Sequence, residues 1–379
     1  MRKTIKYGTI ALVAIAISAL IWLLQSPPVV SQSTVKIQTE PPLENIVPDE
    51  TVVKFQIQAL GTAEQSLPNA NIQVRILTPA PNPWFTSDFP IVEGTELLNL
   101  EAIAPQGNLE FEQVLPIRGN YNLQVVVTPQ VTGQFEPFEE SLSFRVPENS
   151  VKYRNLAILA VILLIAGFGS GWVLGADRVT GEDEIAPQPV RMLLSGITIV
   201  AIAVLLVVNL SAEVAASNVE TGEVSASLPA VANNQEVRVE LLGDRQAVVG
   251  NLATQAVKIT SAATGEPIQD VGVSLQSVAL ESDALMFAYQ GTPDATGKLT
   301  WQEQFFDGAP HSVTATVAPL ANSSRSFTPL EVSQEIEVVG IAPPLSVRFI
   351  SLFYFTSIFA IGLIAGFLGK RNTQTISSF

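Results

Sequence analysis

His311 is the one histidine in a chain of 379 residues that contains no cysteine. It lies in "DGAPHSVTATVAP" (307–319), four residues after Asp307 and eight after Glu303, with Met286 further upstream. An imidazole beside carboxylates and a thioether is the raw material of a metal site or of a general base. A metal needs three or four convergent ligands, usually more imidazoles or thiolates than this sequence holds. A Ser–His–Asp triad would have to use His311, and no G-x-S-x-G elbow surrounds any serine. "GFGSG" (167–171) lies within an apolar run and lacks the lysine of a phosphate loop. The carboxylate pairs Glu139–Glu140 and "EDE" (182–184) are adjacent in sequence, which favours solvent over a shared substrate. The expectation is a protein that is not an enzyme and carries no cofactor, with His311 as the sole candidate metal ligand.

What positions His311 is an internal correspondence. "GNLEFEQVLPIRGNYNLQVVVTP" (107–129) aligns without a gap to "GKLTWQEQFFDGAPHSVTATVAP" (297–319), at a constant offset of 190. Gly107 meets Gly297, Phe111 meets Trp301, and Tyr121 meets His311. Upstream, "LPNANIQVRI" (67–76) matches "EPIQDVGVSL" (266–275); downstream, "FEPFEESLSFRV" (135–146) matches "FTPLEVSQEIEV" (327–338). Strict alternation makes these segments strands. Tyr121, Leu123, Val125 and Val127 share one face; His311, Val313, Ala315 and Val317 share the matching one. Short strands separated by Gly and Pro turns read as antiparallel β-sandwiches of about 100 residues each. His311 and Tyr121 are then half-polar rings capping the end of a core. A metal-binding or pH-sensing His311 is the alternative.

Four further blocks are almost wholly apolar: 8–24, 155–175, 192–210 and 349–368, each 17 to 21 residues without a charged side chain. About 20 such residues cross a bilayer core. The expected architecture is therefore an integral membrane protein with four helical spans and two Ig-like β-sandwiches, in a tandem span–sandwich–span repeat. Its boundaries are 1–24 (signal-anchor span, uncleaved because no A-x-A-like site follows), 25–151 (first sandwich), 152–176 (second span), 177–191 (cytoplasmic loop), 192–210 (third span), 211–347 (second sandwich) and 348–379 (fourth span and tail). Arg2, Lys3, Lys6, Arg178, Arg191, Lys370 and Arg371 mark one side as cytoplasmic. Both termini are expected there, with the sandwiches in the periplasm or lumen of a bacterial plasma or thylakoid membrane. Segment 25–151 has 15 acidic against 5 basic residues, and segment 211–347 has 16 against 5. Surfaces of net −10 and −11 repel nucleic acid and favour cations or basic partners.

Within the apolar blocks, Gly167, Gly171 and Gly175 recur every four residues, as do Gly362 and Gly366. Small residues at that spacing let helix backbones approach closely. These faces are expected to join spans within the chain, in a homo-oligomer, or to a protein partner. The blocks carry no ionisable group, against a transporter component.

The pattern in "TGEPIQDVGVSL" and "TGKLTWQEQFFDGAPHSVTATV" resembles bacterial membrane-anchored Ig-like modules of the YtkA-like type. That resemblance covers each sandwich, not the spans, and some such proteins are linked to copper or respiratory-oxidase handling. It implies a β-sandwich that binds outside the cytoplasm. The expected function is thus a non-enzymatic, multi-pass membrane protein whose paired Ig-like domains bind or scaffold a partner, as a subunit or assembly factor of a membrane complex. The alternative is copper or redox-protein handling beside a respiratory or photosynthetic complex.

Overall fold

The computed structural model describes residues 33–174 and 229–377, apart from Ala63 and Asn322. The first half contributes seven strands: β1 (Thr34–Glu40), β2 (Val52–Leu60), β3 (Ala70–Leu77), β4 (Glu96–Ala104), β5 (Asn108–Val114), β6 (Gly119–Pro129) and β7 (Phe138–Val146). The second contributes β8 (Ala230–Asn233), β9 (Val237–Gly243), β10 (Gln246–Val248), β11 (Leu252–Ser261), β12 (Val271–Ala279), β13 (Ala284–Gly291), β14 (Lys298–Gln304), β15 (His311–Pro319) and β16 (Leu330–Val339). Helix α1 (Ser150–Leu174) follows β7, and helix α2 (Leu345–Ser377) follows β16.

Alternation makes the strands amphipathic. In β2, Val53, Phe55, Ile57 and Ala59 are buried while the residues between them are partly exposed. Each fully buried Phe or Ile of this kind contributes roughly 1.5–3 kcal/mol relative to exposure. Phe55 stacks on Phe111 with centroids 5.0 Å apart, and the corresponding Trp301 lies 6.5 Å from Phe287.

The strands form two eight-stranded sheets. One runs β1-β2-β5-β13-β12-β15-β16-β10, the other β7-β6-β3-β4-β14-β11-β9-β8. Every pairing is antiparallel except β10 with β16. Each sheet thus draws strands from both halves and is continuous across a seam. At the seam β5 pairs with β13, placing Phe111 opposite Tyr289, Glu112 opposite Ala288 and Gln113 opposite Phe287. In the other layer β14 pairs with β4, placing Trp301 opposite Leu100, Gln302 opposite Asn99 and Glu303 opposite Leu98. The β14 residues are those of β5 plus 190, so the two junctions correspond strand for strand, although their registers differ. Side chains add to the join: Gln304 Nε2 donates to Thr95 Oγ1 at 2.9 Å, and Phe89 meets Phe306 edge to face at 5.3 Å.

Two expectations are corrected. Separate tandem sandwiches give way to one double-layered body, because alternation within a strand sets its faces but not which edge it pairs. The four-span class also falls. The body is mostly β, and two helices among the described residues are long and apolar enough to cross a membrane, Ser150–Leu174 and Leu345–Lys370. An apolar run of spanning length is a necessary condition for a span and not a sufficient one. The stretches 8–24 and 192–210, and the loop 177–191, lie outside the described residues.

Candidate functional site

Three places on this frame carry polar or conformational chemistry: the His311 corner, the seam, and the helix pair.

His311 begins β15 and is fully buried. Its Nδ1 lies 2.8 Å from Ala309 O, which fixes the proton on Nδ1 because a carbonyl can only accept. Phe305 packs against the ring at 4.7 Å. Nε2 faces Asp307 Oδ1 at 3.4 Å but makes no aligned hydrogen bond. Burial lowers the imidazole pKa, opposed by the Asp307 charge and the Ala309 carbonyl, so the ring is held neutral. Tyr121, at the corresponding start of β6, is equally buried. Its hydroxyl donates to Ile117 O at 2.7 Å and accepts from Ile117 N at 3.0 Å. This is the corner by which a β-sandwich tyrosine ties a strand to the turn before it. His311 makes a shorter version of the same tie. Of its expected companions the structure brings only Asp307 close. Glu303 is taken up by the seam, and Met286 packs in the core. No cluster of three or more His, Cys, Asp or Glu suited to a metal occurs among the described residues.

His311→Tyr should therefore keep the fold, whereas His311→Asp should lower stability by about 1–3 kcal/mol through an unpaired buried carboxylate. Melting curves with metal analysis check this. Stoichiometric metal in the wild type that the tyrosine variant loses would reverse the assignment.

Beside this corner, Asp49 is pushed up to about 6, first by burial and then by the Asp307 and Asp88 charges, with Lys152 opposing. Lys152, at the start of α1, pairs with Asp88. Charges from both halves thus gather where the sheets meet the helices.

At the seam stands Glu303, which sequence reading considered only as a companion for His311. It is 3% exposed and points inward with Trp301, whose Nε1 donates to Oε2 at 3.3 Å. Ser277 Oγ weighs on the carboxyl's charge without being aligned as a hydrogen bond, and Oε1 has no hydrogen-bond partner. Burial pushes the carboxyl up to about 7. The corresponding Gln113 is also buried; its Nε2 donates to Val114 O at 3.0 Å and its Oε1 is likewise unpartnered. The signal was present in "LTWQEQ": period two puts Glu303 on Trp301's inward face.

On the outer face of the seam, a groove of about 770 Å³ runs across the sheet containing β4 and β14. A chain of hydrogen bonds crosses it: Gln73 Nε2 to Asn99 Oδ1 at 3.0 Å, Asn99 Nδ2 to Gln302 Oε1 at 3.2 Å, and Gln302 Nε2 to Thr254 Oγ1 at 3.0 Å. Four strands from both halves thereby present one uncharged row of donors and acceptors.

The helices pack side by side, running in the same direction, through glycine. Gly167 and Gly171 are the buried residues of α1. A methyl group on Gly167 would strike Phe359 O, and one on Gly171 would strike Leu363 O. From the facing helix, Gly362 and Gly366 meet the backbone of Leu164 and Phe168 in the same way. Gly175 lies outside the described residues. Lys370 Nζ lies 5.2 Å from the centroid of the Trp172 ring, a cation–π contact that closes the far end. The outward faces carry exposed Ile158, Ile162, Ile165, Phe353 and Ile361.

No family model and no curated protein matches the sequence. Among solved structures, a copper-bound variant of FetP from uropathogenic Escherichia coli overlaps 30% of this chain and 97% of its own, at 13% identity and a TM-score of 0.22. The CARDB domain of a Pyrococcus furiosus protein in complex with di-metal ions overlaps 29% and 100%, at 13% identity and 0.20. The Yersinia pseudotuberculosis adhesin InvE overlaps 81% and 60%, at 11% identity and 0.20. Likeness at these scores carries no argument for fold or function, and the β-sandwich assignment rests on the pairing described above.

Proposed function

We propose that this chain is a non-enzymatic membrane protein whose double sheet binds or scaffolds a protein partner. The observation that carries this reading is the helix pair. The apolar stretches Ser150–Leu174 and Leu345–Lys370, 25 and 26 residues long, are only 11% buried, and glycine forms the contact between them. In water such surface would be costly; in lipid it is the ordinary state, and close glycine packing is how helices associate there. We read the two halves as copies of one strand-and-helix unit, fused edge to edge, which accounts for corresponding strands meeting at both junctions. Sheet continuity then requires 34–146 and 230–339 to lie on the same side of the bilayer.

The groove is the partner's seat in this reading. Its amide row is uncharged, spans both halves, and offers hydrogen bonds to a peptide backbone. Copper handling draws no support from the His311 corner, where the imidazole is sealed and tied to a carbonyl.

The chain should stay with membranes after an alkaline carbonate wash and leave them only in detergent. A partner co-purified in mild detergent should be lost from Asn99→Ala/Gln302→Ala while the fold persists. Release by carbonate alone would sink the membrane assignment. Partner retention by the double variant would move the seat elsewhere.

A further inference from the structure

The connection between β3 and β4 holds "PAPNPWFTS" (79–87), nine residues without a charge, with two aromatics at its tip. Trp84 is 64% exposed and Phe85 66%. Large rings thrown into water on a mobile loop would need little explanation, but this loop is tied down throughout. At its base Gly94 N donates to Pro79 O at 2.8 Å, and Thr78 Oγ1 donates to Val92 O at 2.6 Å. Asn82 Oδ1 accepts from the backbone N–H of Trp84 at 2.9 Å and of Phe85 at 3.2 Å, fixing the tip as a turn. Arg118, paired with Glu148, donates to the carbonyls of Phe85 and Thr86 at 3.3 and 3.2 Å. Ser87 N donates to Glu93, and Asp88 pairs with Lys152. A proline-punctuated turn has no periodicity, so no pattern in the sequence marks this segment.

The tip rests on the helix pair. Tyr354 Oη donates to Trp84 O at 3.2 Å, and the Phe85 and Tyr354 rings stack at 6.4 Å with planes 11° apart. Arg348 and Lys370 bracket the apolar part of α2, 22 residues apart, or ~33 Å along the axis, about the thickness of a hydrocarbon core. Tyr354 lies six residues beyond Arg348, so the ring it stacks on sits ~9 Å inside that boundary. Aromatic side chains gather at this depth, where the headgroups give way to the acyl chains. The charges flanking the tip point back: Arg348 Nε donates to Pro343 O at 2.7 Å, and Asp88 is neutralised by Lys152.

We propose that Trp84 and Phe85 form a rigid anchor that inserts into the lipid interface on the sheet side of the bilayer and fixes the height and tilt of the double sheet over the membrane. This rests on the helices being lipid-spanning, and the test separates the two claims. The chain has four tryptophans, Trp22, Trp84, Trp172 and Trp301. Variants that each retain one of them, the others changed to Phe, are placed in phosphatidylcholine nanodiscs carrying quenchers either near the headgroup or near the acyl terminus. Trp84 should be blue-shifted and lose emission to the headgroup-proximal quencher more than to the deep one. Trp172, within α1, should be quenched from within the bilayer, and the buried Trp301 by neither probe. If Trp172 is quenched while Trp84 behaves like Trp301, the anchor is overturned and the spanning helices stand. If neither Trp172 nor Trp84 is quenched, both claims fall. Phe111 already fills the position corresponding to Trp301, so Trp301→Phe should fold. Should it not, the wild-type emission less that of Trp84→Phe isolates Trp84, and the wild-type emission less that of Trp172→Phe isolates Trp172, so the two claims are separated in the same way.

Discussion

Raising the pH from 4.5 to above 7 should cost the folded protein about 3 kcal/mol through Glu303 alone, and Glu303→Gln should remove that loss. The folded carboxyl titrates near 7 against an ordinary value of 4.5. Between those values the folded state holds a proton that the unfolded chain has released. Stability from this group is therefore intact below 4.5, falls as the pH climbs, and stays lost above 7. The cause is burial at the seam, where Trp301 supplies one hydrogen bond and Oε1 has none. Glutamine fits because Gln113 already occupies the corresponding place in the other layer. His311 works in the opposite direction. Its lowered pKa means that the unfolded chain takes up a proton first, so acidification below about 6.5 destabilises the fold. Urea midpoints of the full chain in detergent across this range should show both limbs in the wild type. Glu303→Gln should remove the upper part of the alkaline limb, between about 6 and 7, leave the part below 6 that Asp49 contributes, and keep the acid limb. An alkaline limb unchanged in the variant would assign it to Asp49 and not to Glu303.

Gly171→Leu should drive the helices apart. Even a methyl at this position collides with the Leu363 carbonyl, which belongs to backbone and cannot move aside as a side chain would. The cost is that of overpacking, about 1–3 kcal/mol, together with the close contacts that Gly167, Gly362 and Gly366 make only at short separation. The sheets, held by their own core, should melt as before. Because the chain has no cysteine, spin labels on Ser170→Cys and Leu368→Cys report the helix separation without background. An unchanged distance distribution in the leucine variant would mean that the glycines do not set the contact.

How much of this was legible depended on the range of the interaction. Tyr121 and His311 were placed inward by alternation alone, since a strand's faces are a local property. The four helix glycines declared themselves by spacing along one face. The seam did not, because the junctions of β5 with β13 and of β4 with β14 join edges from different halves, and nothing within a strand names its neighbour across such a gap. The role of Glu303 was hidden for a related reason. Its inward face was readable, but nothing in the sequence named β4 as the strand that would lie beside it. Trp84 and Phe85 escaped because their meaning lies in what the loop touches.

The seam also sets a timetable for biosynthesis. Phe111 and Tyr289, opposite one another in the finished sheet, are 178 residues apart in the chain. At ~5–20 residues per second, the ribosome needs on the order of ten to forty seconds to supply the second once the first has emerged. Throughout that interval β4 and β5 are open edges, with unpaired backbone groups beside the aromatic core. A neighbouring nascent chain at the same stage offers the same edges. Because corresponding strands meet at the two junctions, two first halves could close on each other before either second half arrives. Monomeric assembly is thus a race between translation and encounter, and holding such chains apart during synthesis matters as much as the stability of the finished body.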